Sequence, residues 1–480
     1  MDQDDIEISV NASDNKRLLS ERMRQTEDLV FLDLDDKEYG AVTMCYLEGL
    51  IDDAKLERLL SIFRESRSIR RPNRKETEMG TIGQAAERLA AGMTVLLLHQ
   101  QKRGIALDTL GVQLRNVEEP VSESTVKGPR SGFTESFRNN IALIRFHCPS
   151  ADLKIEFREV GTVSKLSIAV ISCGGIANPH LLEEVHRRIA EIPVDAVIGD
   201  NSIEEWITDN RGTLFPLVES TERPDRVVGA LLEGRIAIVT QGSPFVLLVP
   251  FVFLQAFQVS EDYAWNYYIS SSIRLLRLLC ALLGMLLPGF YVATVTFHQE
   301  LVPTPLLQSI ASAKEPVPFP AVMESFSMMI AFEIMREAGV RMPKQVGQAV
   351  SIVGALILGQ AAVQAGIVSP IMVIVAALTG IATFTLPPSS INYVIRMIQF
   401  GITLLASILG YVGIMVGLVM LMTYLASLRS FGVPYFAPAA PFDLEQLGDI
   451  VVRRPDTSND KRPSIFRPLR RMRFRGRSGR

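Results

Sequence analysis

The distribution of charged residues divides this chain into two halves suited to different environments. Up to Arg235, charges are frequent and apolar runs are short, as in a water-soluble protein. A membrane span needs about 20 mostly apolar residues, because the hydrocarbon core is about 30 Å thick. The second half is therefore predicted to be a membrane-spanning helical domain. Four stretches in it contain no Asp, Glu, Lys or Arg: 236–260, 278–297, 345–395 and 397–428.

These stretches predict four spans directly, and two further segments leave the number open between four and six. Residues 278–297 and 399–424 each give one span, and 345–395 gives two spans separated near Ser369-Pro370. Segment 244–259 is apolar but short and contains two prolines; it could be a short span, a re-entrant piece or an interfacial helix. Segment 320–339 carries four charges and could span or lie in the interface.

The ends of the chain predict which side of the membrane they occupy. Residues 461–480 carry nine Lys/Arg and no acid, and the positive-inside rule places such a tail in the cytosol. The long polar N-terminal half, without a signal-peptide pattern, is also expected to stay cytosolic. Both ends of the chain lie in the cytosol only if the number of spans is even. The tail is expected to touch anionic lipids or to be disordered, since it lacks the interleaved aromatic residues typical of nucleic-acid binding.

A weak internal repeat predicts the architecture of the soluble half. Residues 42–52 read as a strand and a Gly turn before a helix, and residues 166–178 repeat this plan at an offset of 126. A helix, a Gly and a strand recur at 89–98 and 231–240. The predicted fold is thus two related α/β subdomains followed by a transmembrane domain of four to six helices. The predicted order is an acidic disordered tail (1–37), subdomain 1 (38–115), a polar linker with a Gly-Pro-Arg motif (116–154), subdomain 2 (155–242), the transmembrane domain (243–428) and a cytosolic C-terminal segment with the basic tail (429–480).

The sequence gives no basis for a catalytic, cofactor or metal site, and the chain is predicted not to be an enzyme. The five histidines never gather with Cys or carboxylates at ligand spacing. The loop at Cys173-Gly-Gly lacks the Gly spacing and the Lys-Ser/Thr of a phosphate-binding loop. Cys45 and Cys173 lie in predicted strands and are expected to be small buried residues.

Two sets of residues are candidates for function. The first consists of polar and small residues in a charge-free span, which could either pack against another helix or line a narrow pore. The second is a cationic motif between the subdomains, which could be a polar linker with a capped helix, a subunit contact or a coupling hinge between the subdomains. The pore or gate candidates are Gln345, Gln348, Ser351, Ala355, Ala362 and Gly366, and the subunit-contact candidates are Lys127, Arg130, Phe133, Glu135 and Arg138.

From about Gly40 to Pro441 the chain resembles the A subunits of the spore germinant receptors, the GerA type. The resemblance rests on several unusual motifs that occur in the same order. They are Gly128-Pro-Arg-Ser-Gly-Phe-Thr-Glu-Ser136, Thr221-Glu-Arg-Pro-Asp225, Leu232-Glu-Gly-Arg235, Glu261-Asp-Tyr263, Arg274-Leu-Leu-Arg277, Ser351-Ile-Val-Gly-Ala-Leu-Ile-Leu-Gly-Gln-Ala-Ala362 and Ser430-Phe-Gly-Val-Pro-Tyr435. The family also includes a paralogue associated with the dipicolinate channel proteins.

The resemblance implies an integral protein of the spore inner membrane with both termini in the cytosol. It implies a transporter-like B subunit and a lipoprotein C subunit as partners. It also implies a homo-oligomeric ring that forms a nutrient-gated ion channel and releases monovalent cations to start germination. The alternatives are the paralogue acting as an amplifier of ion release, a secondary transporter, or a membrane-anchored scaffold.

Overall fold

The N-terminal half of the computed structural model contains two sheets of five antiparallel strands. The structure describes residues 6–36, 40–64, 77–111, 120, 123, 125–342, 359–387, 390–443, 446 and 449–473. Subdomain 1 has the strand order β1-β2-β4-β5-β3. Its elements are α1 (Ala12–Arg22), β1 (Leu29–Asp36), β2 (Gly40–Leu47), α2 (Asp53–Arg64), β3 (Thr77–Met79), α3 (Ile82–Ala90), β4 (Thr94–Leu98) and β5 (Arg103–Leu107).

Subdomain 2 has the order β6-β7-β9-β10-β8, which repeats the order of subdomain 1 strand for strand. The sequence repeat is found in the two central strands of each sheet, where β2 corresponds to β7 and β4 to β9. Subdomain 2 contains a short helix, α6, between α5 and β8. Its elements are α4 (Phe137–His147), β6 (Leu153–Val160), β7 (Leu166–Cys173), α5 (Pro179–Ala190), α6 (Asp200–Ile207), β8 (Glu219–Thr221), α7 (Pro224–Glu233), β9 (Ile236–Thr240) and β10 (Val246–Val249).

The prediction of a disordered tail over 1–37 is wrong for the part that the structure describes. Asn11 caps α1 by accepting a hydrogen bond from the backbone N–H of Ser13. Leu19 and Met23 are buried in the core of subdomain 1, and strand β1 pairs with β2 along its full length. Most of the acidic residues that suggested disorder lie on the exposed faces of these elements, whereas Asp28 is buried and pairs with Arg145. The apolar residues between them determine the fold.

Segment 244–259 does not form a span, and the predicted domain boundary at 242 falls too early. Strand β10 lies within it, between β9 and β8, and all four of its residues are buried. Subdomain 2 covers both faces of strand β10, so no residue of the strand faces water. The strand is therefore continuously apolar, as a membrane segment is. Short 3₁₀ turns follow at Phe253–Phe257 and Ser260–Tyr263 before the helical half begins.

The C-terminal half is helical. Helices α8 and α12 are long and apolar enough to cross a membrane, whereas α11 and α13 are apolar but shorter. Buried helices of soluble proteins can meet the same criteria of length and composition. The helices are α8 (Tyr267–Phe297), α9 (Thr304–Lys314), α10 (Ala321–Arg341), α11 (Pro370–Phe384), α12 (Ile391–Leu409) and α13 (Tyr411–Ser427).

The stretch 399–424 is two antiparallel helices rather than the single predicted span. Gly410 separates α12 from α13 with a φ of +62°, a conformation that residues with a Cβ seldom adopt. A Cβ at Gly413 would clash with the carbonyl oxygen of Leu405, so the two helices approach closely at the turn. A hydropathy pattern cannot show this break, because glycine is common inside apolar helices of membrane proteins.

The described part of the basic tail folds against subdomain 2. Phe466 is buried, and the backbone N–H of Leu469 donates to the carbonyl of Ile176 at 2.9 Å. Arg462 Nε donates to the carbonyl of Leu232 at 2.6 Å. These contacts correct the expectation of disorder for residues 461–473.

Candidate functional site

A buried cluster of charges joins the α/β region to the first long helix. Asp262 lies in the 3₁₀ turn that precedes α8, and only 3% of its surface is exposed. Its carboxylate accepts hydrogen bonds from Arg274 Nε at 2.8 Å and from Arg277 Nη1 and Nη2 at 3.2 and 3.3 Å. The two arginines are one turn apart on α8, so both reach back to the same carboxylate.

The C-terminal segment enters the same cluster through Arg453, which is also buried. Its Nη1 donates to the backbone carbonyl of Asp262 at 3.0 Å and to that of Trp265. Arg274 Nη1 donates to the carbonyl of Asp449 at 2.6 Å. The Asp262 carboxylate thus binds two guanidinium groups, and Arg453 binds the backbone of the same turn. We call Asp262, Arg274, Arg277 and Arg453 the junction cluster.

The cationic motif between the subdomains reaches this junction. The backbone N–H of Lys127 donates to Glu261 Oε1 at 3.2 Å, and the ammonium group of Lys127 lies 5.0 Å from the centre of the Trp265 ring. Arg138 pairs with Glu48 of subdomain 1 at 3.0 Å. The motif therefore contacts subdomain 1 and the segment just before α8.

The other subunit-contact candidates lie in two different environments. Phe133 is buried in the core of subdomain 2, where it packs within its own chain. Arg130 and Glu135 are exposed. A contact with another subunit stays a prediction for this set, and these two exposed side chains are the best placed to make it.

Buried Arg223 belongs to the motif 221–225 and connects that motif to the cationic motif. Its Nη2 donates to the carbonyl of Pro129 at 3.0 Å and to Asp225 at 2.9 Å, and its Nη1 donates to Thr125 Oγ1 at 3.2 Å. The backbone N–H of Phe133 donates to the carbonyl of Glu222 at 2.8 Å. The two motifs, about 90 residues apart in the chain, thus form one local structure.

The last motif of the resemblance, residues 430–435, packs against subdomain 2 and the segment that follows it. Ser430 Oγ donates to the carbonyl of Leu217 at 2.6 Å and accepts from the backbone N–H of Phe251 at 3.0 Å. Tyr435 is fully buried among Phe215, Phe251 and Phe253. The segment after α13 is therefore fixed to subdomain 2, so the helical half is attached to the α/β region where it begins and where it ends.

Four of the pore candidates, Gln345, Gln348, Ser351 and Ala355, lie outside the described residues. Ala362 packs partly buried against a cluster that includes Tyr291 and Met372. Gly366 has a φ of +66°, in a turn just before α11. The pore role stays a prediction.

Within the part of the chain that the structure describes, no group of three or more His, Cys, Asp or Glu could hold a metal ion. Cys45 and Cys173 are buried, as expected, and burial raises the pKa of the Cys173 thiol to about 12. The junction cluster was not predicted from the sequence. Two arginines in an otherwise apolar helix were a usable signal, because buried cations require partners.

Four of the motifs that carry the resemblance thus contact one another in pairs: 128–136 with 221–225, and 261–263 with 274–277. A model of the family described as Bacillus/Clostridium GerA spore germination protein matches residues 17–465. The chain belongs to the GerA family. It is 40% identical over 477 residues to YfkQ, an uncharacterized membrane protein of Bacillus subtilis (strain 168), covering 97% of this chain and 93% of YfkQ. It is 39% identical over 473 residues to spore germination protein KA of the same strain, covering 95% and 87%.

A GerA-family relative from another species is spore germination protein GerLA of Bacillus cereus, which is 38% identical over 378 residues, 79% of this chain and 77% of GerLA. Among solved structures, the N-terminal domain of the A subunit of the Bacillus megaterium spore germinant receptor GerK3 aligns with 52% of this chain. The alignment covers 97% of that domain at 25% identity, with a TM-score of 0.40, which is too low to establish a shared overall fold.

Proposed function

We propose that this GerA-family chain is the A subunit of a spore germinant receptor and that its helical half is inserted in the spore inner membrane. The observation that carries the proposal is the junction cluster. Buried ion pairs connect α8 to Asp262 in the turn before it, and the neighbouring Glu261 accepts a hydrogen bond from Lys127 in the cationic motif. A change of state in the α/β region would shift this contact and so bias the arrangement of the helices.

The packing of the helices supports a topology with both ends in the cytosol. Helices α8 and α12 run away from the α/β region, since the end of α8 contacts Gly410. Helix α13 runs back, and Tyr424 near its end packs on Phe215 of the α/β region. In a membrane, the chain would enter and leave on the same side, as the positive-inside rule requires for the basic tail.

The proposed activity is ion release rather than chemistry. In this proposal the chain associates with a transporter-like B subunit and a lipoprotein C subunit. Copies of it form a ring, with the exposed Arg130 and Glu135 at the subunit contact. The span that contains Gln345, Gln348 and Ser351 lines the pore, where amide and hydroxyl groups replace part of the hydration of a monovalent cation.

Deletion of the chain tests the receptor role. Spores that lack it should lose potassium release in response to at least one nutrient of a panel of amino acids and sugars, and reintroducing the chain should restore that release. Release triggered by dodecylamine, which bypasses nutrient sensing, is the control and should persist. An unchanged response to every nutrient would reject the receptor role and favour a paralogue that amplifies ion release downstream.

A further inference from the structure

A cavity of about 680 Å³ lies between subdomain 2 and the ends of helices α10, α11 and α12. Subdomain 2 and the segment that follows it contribute Phe245 and Phe251, and the helices contribute Phe384, Tyr393 and two arginines. The wall is thus largely aromatic and apolar, with a few charged groups at defined positions. Such a lining is typical of a binding site rather than of a water-filled gap.

The cavity continues into a narrower apolar crevice between the same helices. Met328, Phe332 and Phe400 line the crevice, and Arg336, Arg396 and Phe384 line both spaces. The two arginines therefore lie where the wider cavity meets the narrow crevice. The outer helix surfaces next to the crevice are also apolar, since Ile334 and Ile381 are 64% and 63% exposed.

The guanidinium groups at this position outnumber their carboxylate partners. Arg396 is 8% exposed and donates through Nη1 to Glu333 Oε1 and Oε2 at 2.9 and 3.2 Å. Arg336 pairs with the same carboxylate. Both guanidinium groups lie against the Tyr393 ring, at 4.4 and 5.6 Å from its centre. Among the described residues, Nη2 of Arg396 has no hydrogen-bond partner, and it supplies a donor for a ligand.

The opposite wall does not cancel this charge. Glu219 is already paired with Arg226 and Arg235, at 2.6 and 2.7 Å. Burial raises the pKa of Glu123 to about 7, which favours the neutral form of this carboxyl group relative to an exposed glutamate. The cavity as a whole is therefore net positive, which favours an anionic ligand.

We propose that the cavity binds the phosphate headgroup of an anionic phospholipid at Arg336 and Arg396, with the acyl chains along the exposed apolar surfaces of α10 and α11. The inference rests on the membrane insertion proposed above, which places these helix ends at the cytosolic leaflet. Anionic lipids are attracted to basic residues at that surface by about 1 kcal/mol per residue. Two guanidinium groups beside exposed apolar helix surfaces match the two chemical parts of a phospholipid.

Native mass spectrometry of the full chain in detergent, titrated with phosphatidylglycerol or phosphatidylcholine, tests this proposal. We expect phosphatidylglycerol to bind preferentially, and each lost arginine to weaken its binding about fivefold. Arg336→Gln removes one cation. Arg396→Gln removes the other cation and leaves Glu333 paired with Arg336. Arg341→Gln is the matched control, because Arg341 lies on the same helix, is exposed and pairs only with Glu337 among the described residues.

Two results would overturn the lipid site. Equal binding of the two lipids, or equal weakening by Arg341→Gln and Arg336→Gln, would show that no specific headgroup is bound. Competition by sn-glycerol 1-phosphate as effective as by the lipid would identify a soluble phosphate compound as the ligand. Incorporation of the wild-type chain into lipid nanodiscs is measured separately, so failure of the lipid site remains distinguishable from failure of membrane insertion.

Discussion

Asp262→Asn should lower the free energy of unfolding by about 3–5 kcal/mol, because it removes the only side-chain carboxylate that the described structure places in the junction cluster. Asparagine keeps the size of the side chain but not its charge. The guanidinium groups of Arg274 and Arg277 would then remain buried without the carboxylate that they share. Their mutual repulsion would open the contact between the turn and α8, so we also expect faster proteolysis between subdomain 2 and α8.

Urea unfolding of the full chain in detergent, followed by tryptophan fluorescence, measures this effect, because Trp265 lies beside the cluster. Glu261→Gln is the matched control. This neighbouring carboxylate accepts hydrogen bonds from Lys127 and Trp265 and forms no ion pair with the junction cluster in the described structure. We expect it to cost about 1 kcal/mol. Equal costs for the two variants would show that the buried charge of Asp262 has no special role.

The second large effect is expected at the contact between the subdomains. Arg145 and Asp28 are both almost fully buried, and Arg145 donates to the two carboxylate oxygens from Nε at 3.0 Å and from Nη2 at 2.8 Å. Asp28→Asn should therefore also cost about 3–5 kcal/mol, since it leaves a buried guanidinium group without its counter-charge.

Two comparisons separate this pair from an ordinary charge effect. Asp33→Asn breaks the exposed pair with Lys16 and should cost less than about 1 kcal/mol. The double variant Asp28→Leu/Arg145→Met replaces both charges with apolar groups, and it should be more stable than Asp28→Asn alone. The same denaturation experiment measures all three. A double variant less stable than Asp28→Asn would contradict the account of the buried charge.

The α/β repeat could be predicted from the sequence because its central strands are apolar and bounded by glycine. The offsets of 126 and 142 residues match β2 with β7 and β4 with β9, the strands that occupy equivalent positions in the two sheets. Edge strands could not be predicted in this way. Strand β1 alternates acidic and apolar residues, and its pairing with β2 depends on partners outside its own sequence.

The errors in the helical half have a common cause. Hydropathy reports how apolar a segment is, but not whether protein or lipid surrounds it. Strand β10 is apolar because it is central in a sheet, and the turn at Gly410 is apolar because two helices contact each other there. The junction cluster was missed because its members lie up to 191 residues apart in the chain. The sequence showed the arginines of α8 but not their partners.

The most direct test of the proposed ion pathway is potassium release from spores in which the deleted chain is replaced by the Ala355→Phe variant. A bulky side chain in the proposed pore span should strongly reduce nutrient-triggered release while the amount of chain in the membrane stays normal. The control is Leu378→Phe, because Leu378 is an exposed apolar residue on α11. Normal release from Ala355→Phe spores would contradict the pore assignment, and reduced release from that variant alone would support it.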